Sequence, residues 1–450
     1  QLPTREKAEK PTIYIAGDST AQTYNYTKVY PQTGWGQVFA DYFNDDIIIE
    51  NRAMGGRSSK SYDNDGRLDR ILTEMHPGDY VFIQFGINDG AENKPERYIS
   101  VEDYKKLITD KYIGEVEKRG GTPVLMTANA AAWWDEENNC FMESRKDYAD
   151  PTREIAEETG CKFIDENKIV TDAWNSMSKN RVLSGYFICE PLESKAYPSG
   201  TNDTTHMKAK GAKRVAKLIA DAIPENVPEL AKYLKGDETF TDIQGHWAED
   251  VIKTLAENDK VSGVGDGKFN PDGTVTRAEF LKMAMDSLGI VGHAYRDGEC
   301  LDATNDDWYC YYLQGALDKD IIPEEMIEDC DFTNVTKTLK ESTEKEKAVR
   351  ANVNVYTGKF YGDKPITREE MAVIATRCKN YKMRNWRDWD NERRIPVFSF
   401  KDSDEIDEKY ISYVVHAYNL KYIDGMEDGR FAPKENLTRA QAAVVMNNLK

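Results

Sequence analysis

The first half of the chain alternates between two textures of hydrophobic and polar positions. Short apolar runs rich in β-branched and aromatic residues are TIYIAG (12–17), DIIIEN (46–51), YVFIQFG (80–86), TPVLMTA (122–128) and CKFIDE (161–166). Between them lie polar stretches that read as helices, such as EDYKKLITDKYIGEVEKR (102–119). Strands alternating with helices predict a parallel sheet covered on both faces. This α/β region spans 11–224, and residues 1–10 read as an N-terminal extension. In such sheets chemistry gathers beyond the carboxyl ends of the strands.

After PENVPELAKYLKGDET (224–239) the pattern becomes a repeat, with 225–238 expected as a linker. Gly263 is followed by Phe269, Pro271 and Thr276-Arg277-Ala278; Gly425 is followed at the same offsets by Phe431, Pro433 and Thr438-Arg439-Ala440. Four shared landmarks mark a repeated unit. A degenerate middle copy starts near YRDGE (295–299), keeps the Phe360-to-Thr367 offset and continues as Arg368-Glu369. A polar insertion, 333–364, interrupts it and reads as an exposed excursion. The copies are expected at 239–290, 291–394 and 395–450. Each reads as helix, loop, helix, with Thr at the N-cap of the second helix.

Four polar clusters follow the strands of the first half. They are Gly17-Asp18-Ser19, the stretch 51–59 (NRAMGGRSS), Gly86-Ile87-Asn88-Asp89 and Asp203-Thr204-Thr205-His206. Taken singly each reads equally as a strand end, a turn or a helix cap. Together they supply a hydroxyl, a base, an acid to orient the base and several hydrogen-bond donors, the parts that serine ester hydrolysis needs. The chain has five histidines, 76, 206, 246, 293 and 416. Only His206 stands beside an Asp at a loop-to-helix junction of the α/β region, and its three-residue spacing lets the two side chains meet.

These four blocks, in this order, resemble the GDSL or SGNH hydrolases, and GGRSSKSY…GR (55–67) resembles the rhamnogalacturonan acetylesterase branch. The resemblance implies a flavodoxin-like three-layer α/β/α sandwich that releases acetate from plant-wall polysaccharide without metal or other cofactor. Position by position it implies Ser19 as nucleophile and oxyanion amide, Gly56 and Asn88 as further oxyanion donors, His206 as base and Asp203 as its partner. The repeats resemble S-layer homology modules, which tether surface proteins to the Gram-positive cell wall. That resemblance implies a mainly helical pseudo-trimer in which Arg277, Arg368 and Arg439 help bind wall glycan. Each of these arginines reads equally as a staple between helix and loop. Trp247 is grouped with the glycan-binding candidates, with Trp308 and Tyr410 near the corresponding places of the other copies.

Composition narrows the picture further. A net charge of −19 argues against nucleic acid as a partner and gives no long-range attraction for an anionic polymer, so an acidic substrate needs a local cation. Arg57 and Arg52 are the nearest candidates, and Arg57 reads equally as a structural residue of its loop. Trp133 and Trp134 are read as a sugar platform or as core, and Trp35 as packing. Asp63-Asn64-Asp65-Gly66 lacks the glutamate of a calcium loop and reads as a turn. No apolar run of membrane-spanning length occurs, and Gln1 at the start is consistent with a trimmed signal peptide or a cut boundary. Seven scattered cysteines form no metal pattern, although Cys300 and Cys310 are spaced to bridge.

The reading is therefore a secreted serine esterase, anchored at the bacterial surface, that deacetylates pectin, most directly rhamnogalacturonan. Two alternatives stay open: a deacetylase of xylan or other short-chain esters, and a surface glycan-binding protein with an inactive hydrolase fold.

Overall fold

A computed structural model describes residues 5–236, 240–257, 260–296, 298, 300–340, 348–383 and 400–449. The chain divides into two compact units, Gln1–Cys189 with Thr201–Gly236, and Glu190–Gly200 with Asp237–Lys450.

The first unit is built on five parallel strands, β1 (Thr12–Gly17), β2 (Ile48–Asn51), β3 (Tyr80–Gln84), β4 (Thr122–Met126) and β5 (Lys162–Ile164). Their order in the sheet is β2-β1-β3-β4-β5, the flavodoxin-like winding. Side chains alternate between two cores, as the period of two in a strand requires. Ile13, Ile15, Phe82, Val124, Met126 and Ile164 pack on one face with the helix Ala209–Asn226. Tyr14, Ala16, Val81, Ile83 and Leu125 face the other layer, with the helices Arg67–Glu74 and Lys146–Thr159. The stretch expected as helix over 102–119 is helical from Val101 to Glu117, with a widened turn at Ile108–Ile113.

Two boundaries differ from expectation. The run DIIIEN enters the sheet only at Ile48, because Asp45 and Asp46 form the preceding turn. Much of the expected linker is packed instead. The helix of the last cluster continues to Asn226, Leu230 is fully buried, and the Asn44 N–H donates to the Tyr233 carbonyl. Apolar side chains spaced through VPELAKYL explain why this stretch docks rather than links.

In the second unit the same local geometry occurs three times. The helix pairs are Glu249–Glu257 with Arg277–Ser287, Cys310–Asp318 with Arg368–Met383, and Ile411–Asn419 with Arg439–Asn448. In each copy one aspartate accepts two successive backbone N–H groups with its two oxygens. Asp242 takes Phe269 and Asn270, Asp302 takes Phe360 and Tyr361, and Asp402 takes Phe431 and Ala432, all at 2.7–2.9 Å. The middle copy's landmark is thus Asp302 and not YRDGE (295–299). The insertion is an antiparallel hairpin, Glu328–Lys340 with Ala348–Lys359. Residues 384–394, expected at the end of the middle copy, lie outside the described residues.

The three copies lock into one another in a ring. Arg277 donates to the Phe360 carbonyl at 2.7 Å and pairs with Glu370. Arg368 donates to the carbonyls of Phe431 at 2.7 Å and Asp424 at 2.8 Å. Arg439 closes the ring on the carbonyls of Phe269 at 2.8 Å and Ser262 at 2.9 Å. Each guanidinium also lies over the phenylalanine ring of the copy it grips, Phe360, Phe431 and Phe269 in turn. Burial pushes the pKa of Arg368 and Arg439 down, the cost of holding a charge away from water.

Arg439→Ala would leave two carbonyls of the first copy without their donor. The expected loss is about 2–4 kcal/mol from the stability of the second unit. Arg439→Lys should recover only part, because one ammonium cannot reproduce the fork. Differential scanning calorimetry of the full chain checks both.

Candidate active site

The turn after β1 is built around a buried aspartate. Asp18 accepts the Thr20 N–H at 2.8 Å and the Thr20 hydroxyl at 2.9 Å, which closes a tight loop around Ser19. Burial pushes the Asp18 carboxyl up. The Ser19 carbonyl accepts from the Tyr24 hydroxyl at 2.8 Å, so the serine backbone is held from both sides.

The last cluster arrives from the far end of the unit. Asp203 accepts the N–H groups of Thr205 at 2.8 Å and His206 at 2.9 Å through one oxygen. Its other oxygen pairs with His206 Nδ1 at 2.7 Å, and His206 Nε2 lies 2.8 Å from Ser19 Oγ. Half-burial works against the charge on Asp203, yet the hydrogen bonds from His206 and Thr205 prevail and hold its carboxyl at about 2. Burial likewise opposes the His206 charge, but Asp203, with Asp18 beyond it, raises the imidazole above its usual 6.5. An ionised Asp203 fixes the tautomer with hydrogen on Nδ1 and leaves Nε2 free to accept from Ser19.

The glycine loop and the GIND segment lie alongside. The Met54 N–H donates to the Gly17 carbonyl at 2.9 Å, which ties the glycine loop to the end of β1. A Cβ on Gly55 would stand 3.6 Å from that of Ser19, and the Gly55 N–H is taken by Gln22 Oε1. Gly56 has φ of +71°, a conformation that favours glycine, and among the described residues nothing accepts from its N–H. Asn88 Nδ2 donates to the Arg57 carbonyl at 3.0 Å, which orients the amide and leaves its second hydrogen. Asp89 fastens the two segments, accepting from the Ser59 N–H at 2.8 Å, the Ser59 hydroxyl at 2.5 Å and the Gly86 N–H at 2.9 Å. Burial pushes the Asp89 carboxyl up to about 6.

Sequence reasoning missed this buried polar layer, which also holds Gln84 Nε2 against Glu166 at 2.5 Å. Burial pushes Glu166 well above the usual carboxylate range. The available signals were Asp89 directly after Asn88 and a glutamine ending an otherwise apolar strand.

The substrate candidates fare differently. Arg57 pairs with Asp65 at 2.7 Å and also reaches the Gly55 carbonyl at 3.3 Å, while Arg52 pairs with Glu74 at 2.6 Å. Both guanidinium groups already have carboxylate partners, which supports the structural reading of Arg57. Trp35 is fully buried against Phe39. Trp133 is 37 % exposed, with the Arg145 guanidinium 4.8 Å from its ring centroid. Trp134 packs edge-on to Phe141 and donates to Glu136 at 3.1 Å, so one tryptophan of the pair faces out and the other packs inward. Asp63 pairs with Lys111, and Gly66 turns the chain at φ of +69°. In the second unit Trp247 is 65 % exposed, whereas Arg277, Arg368 and Arg439 are buried and bonded to the next copy. That placement supports the staple reading of the three arginines. Cys300 and Cys310 are unbridged, and the Cys300 thiol donates to the Cys310 carbonyl. Among the described residues no three His, Cys, Asp or Glu side chains group as metal ligands.

A serine, an imidazole and an ionised carboxylate in hydrogen-bonded series at the carboxyl edge of a doubly wound sheet define a serine-hydrolase type of site. Family comparison agrees: the GDSL-like Lipase/Acylhydrolase family matches residues 15–214, and the S-layer homology domain matches 239–281 and 399–443. The probable rhamnogalacturonan acetylesterase YesY of Bacillus subtilis is 36 % identical over 213 residues, 47 % of this chain and 92 % of the relative. The rhamnogalacturonan acetylesterase RhgT of the same organism is 32 % identical, covering 47 % of this chain and 89 % of its own length. That of Emericella nidulans is 27 % identical, covering 52 % and 91 %. The chain belongs to the GDSL-like lipase/acylhydrolase family and is a carboxylic ester hydrolase; its S-layer homology sequence indicates anchoring at the cell surface.

The imidazole of His206 should titrate above 6.5 in NMR-monitored pH titration. In Asp203→Asn its pKa should fall, since the charge that raises it is gone.

Proposed function

We propose that this protein is an acetylesterase that removes O-acetyl groups from pectic polysaccharide, rhamnogalacturonan in particular, while secreted and held on a Gram-positive type wall. The observation that carries the reading is the unbroken series from Asp203 through His206 to Ser19 Oγ.

In this reading Ser19 Oγ attacks the acetyl carbonyl carbon as His206 Nε2 takes the hydroxyl proton. The negative charge that gathers on the carbonyl oxygen is met by the N–H groups of Ser19 and Gly56 and by Asn88 Nδ2. Collapse breaks the bond to the sugar oxygen, which leaves with the proton from His206. Water, deprotonated by the same imidazole, then attacks the acetyl-serine; the bond to Ser19 Oγ breaks, the serine takes back the proton from His206, and acetate departs. Asp203 stays ionised throughout and stabilises the imidazolium. The pectic substrate is supported by the names of relatives that match over nearly their whole length. The third copy in the second unit repeats the geometry of the two matched copies, which supports three wall-binding modules and polysaccharide of the secondary wall as their partner. Exposed Trp247 is the candidate contact there.

The test is acetate release from acetylated rhamnogalacturonan, homogalacturonan and xylan. Release from the pectic polymers, lost in Ser19→Ala and His206→Ala, is the expected outcome; preference for xylan would move the substrate and keep the mechanism. Asn88→Ala should lower the rate about 10²–10³-fold, the usual effect of removing one oxyanion donor. Because the base works as neutral imidazole, activity should fall with acid through the raised His206 pKa, and Asp203→Asn should shift that limb to lower pH.

A further inference from the structure

Arg57 and Arg52 are already engaged in ion pairs, and a third arginine is better placed to serve an acidic substrate. One guanidinium stands directly at the oxyanion glycine. A Cβ on Gly56 would lie 3.2 Å from one terminal nitrogen of Arg97 and 3.4 Å from its Cζ. The Arg97 side chain is 27 % exposed, and its nearest carboxylate is that of its neighbour Glu96, 3.6 Å from Nε and itself 66 % exposed. Such an exposed pair contributes little. Among the described residues the guanidinium makes no hydrogen bond, so a largely buried cation is left with donors to spare.

The loop that carries Arg97 is fixed. The N–H groups of Arg97 and Tyr98 both donate to the Lys94 carbonyl, at 2.8 and 2.9 Å. The Ile99 N–H donates to the Asp89 carbonyl at 3.1 Å, next to Asn88. Lys60 Nζ bonds the carbonyls of Pro95 at 3.1 Å and Tyr98 at 3.0 Å. The backbone of the cation is therefore preorganised at the glycine loop. The net charge of −19 gives an anionic chain no long-range attraction, so its recognition falls to a local cation of this kind.

We propose that Arg97 binds the carboxylate of a uronic acid residue in the substrate and makes the esterase selective for acidic over neutral acetylated glycan. The inference rests on the esterase reading above and names the residue that would set its substrate class. A planar guanidinium matches a carboxylate in two-point geometry, and a bond of that kind is strong where both partners leave water. Arg97 in this role is a binding residue that discriminates between substrates. The chemistry stays with Ser19 and His206.

The experiment compares one acetylated rhamnogalacturonan oligosaccharide with free carboxyls and the same oligosaccharide with its carboxyls methyl-esterified. The readout is the ratio of kcat/KM for the two. The wild-type protein should prefer the free acid by about 10–100-fold, the range for a charge-assisted hydrogen bond. Arg97→Ala should bring the ratio close to one, mainly through KM, and Arg97→Lys should keep part of it. Added salt should erode the wild-type preference and leave the Arg97→Ala ratio unmoved. A wild-type ratio near one overturns the proposal, as does a ratio that survives in Arg97→Ala, including the case where both substrates slow equally. Thermal unfolding of each variant separates misfolding from lost recognition. No acetate release by wild-type protein from either oligosaccharide, alongside hydrolysis of p-nitrophenyl acetate, would instead overturn the pectic reading on which the inference rests.

Discussion

The contact between Ser19 Oγ and His206 Nε2, 2.8 Å long, joins residues 187 positions apart. It forms only if the first strand and the last helix of the α/β unit are brought to the same edge of the sheet. The parallel register of β1 with β3 sets one side of that requirement, and packing of the helix Ala209–Asn226 on the face carrying Ile13 and Ile15 sets the other. The remainder of the unit serves this closure. Asp18 curls the serine turn, Asp203 curls the histidine turn, and Asp89 ties the glycine loop to the asparagine loop. Three aspartates thus act chiefly as acceptors for backbone N–H groups, each converting a flexible turn into a fixed one.

These roles separate the carboxylates electrostatically. Burial raises Asp18 and Asp89, where local donors do not recover the lost solvation, whereas Asp203 is lowered by the imidazole it serves. Asp203, the carboxylate proposed to support an imidazolium, is the one given a strong partner.

The second unit solves a different problem with one device used three times. Short helix pairs cannot bury enough surface alone, so each copy lends a buried arginine to its neighbour's backbone carbonyl and phenylalanine ring. An aspartate in each copy holds the segment that receives the arginine. In the degenerate middle copy the arginine is received by the Phe360 carbonyl and ring, with Glu370 pairing beside them.

Much of this was legible in the sequence. Five apolar runs named the five strands, and two of the four polar clusters, at Ser19 and at Asp203–His206, meet in hydrogen-bonded series. What escaped were interactions whose partners are distant in sequence and unmarked by pattern. Arg57 looked available until Asp65 was seen beside it, and Arg97 gave no signal because its place at Gly56 depends on how the loop folds. The arginines of the repeats were read by motif, yet only packing could show which neighbour each one grips. The Phe360-to-Thr367 offset of the middle copy holds, while its start at YRDGE misses Asp302, which follows that stretch.

The central claim is that Ser19 carries the acetyl group between two half-reactions. Rapid acid quench during turnover of an acetylated substrate, followed by peptide mass analysis, tests it most directly. The account predicts one acetyl group on the peptide containing Ser19, formed in a burst and absent from Ser19→Ala. Turnover with that serine unmodified at every time point, or with acetyl on another residue, would contradict it.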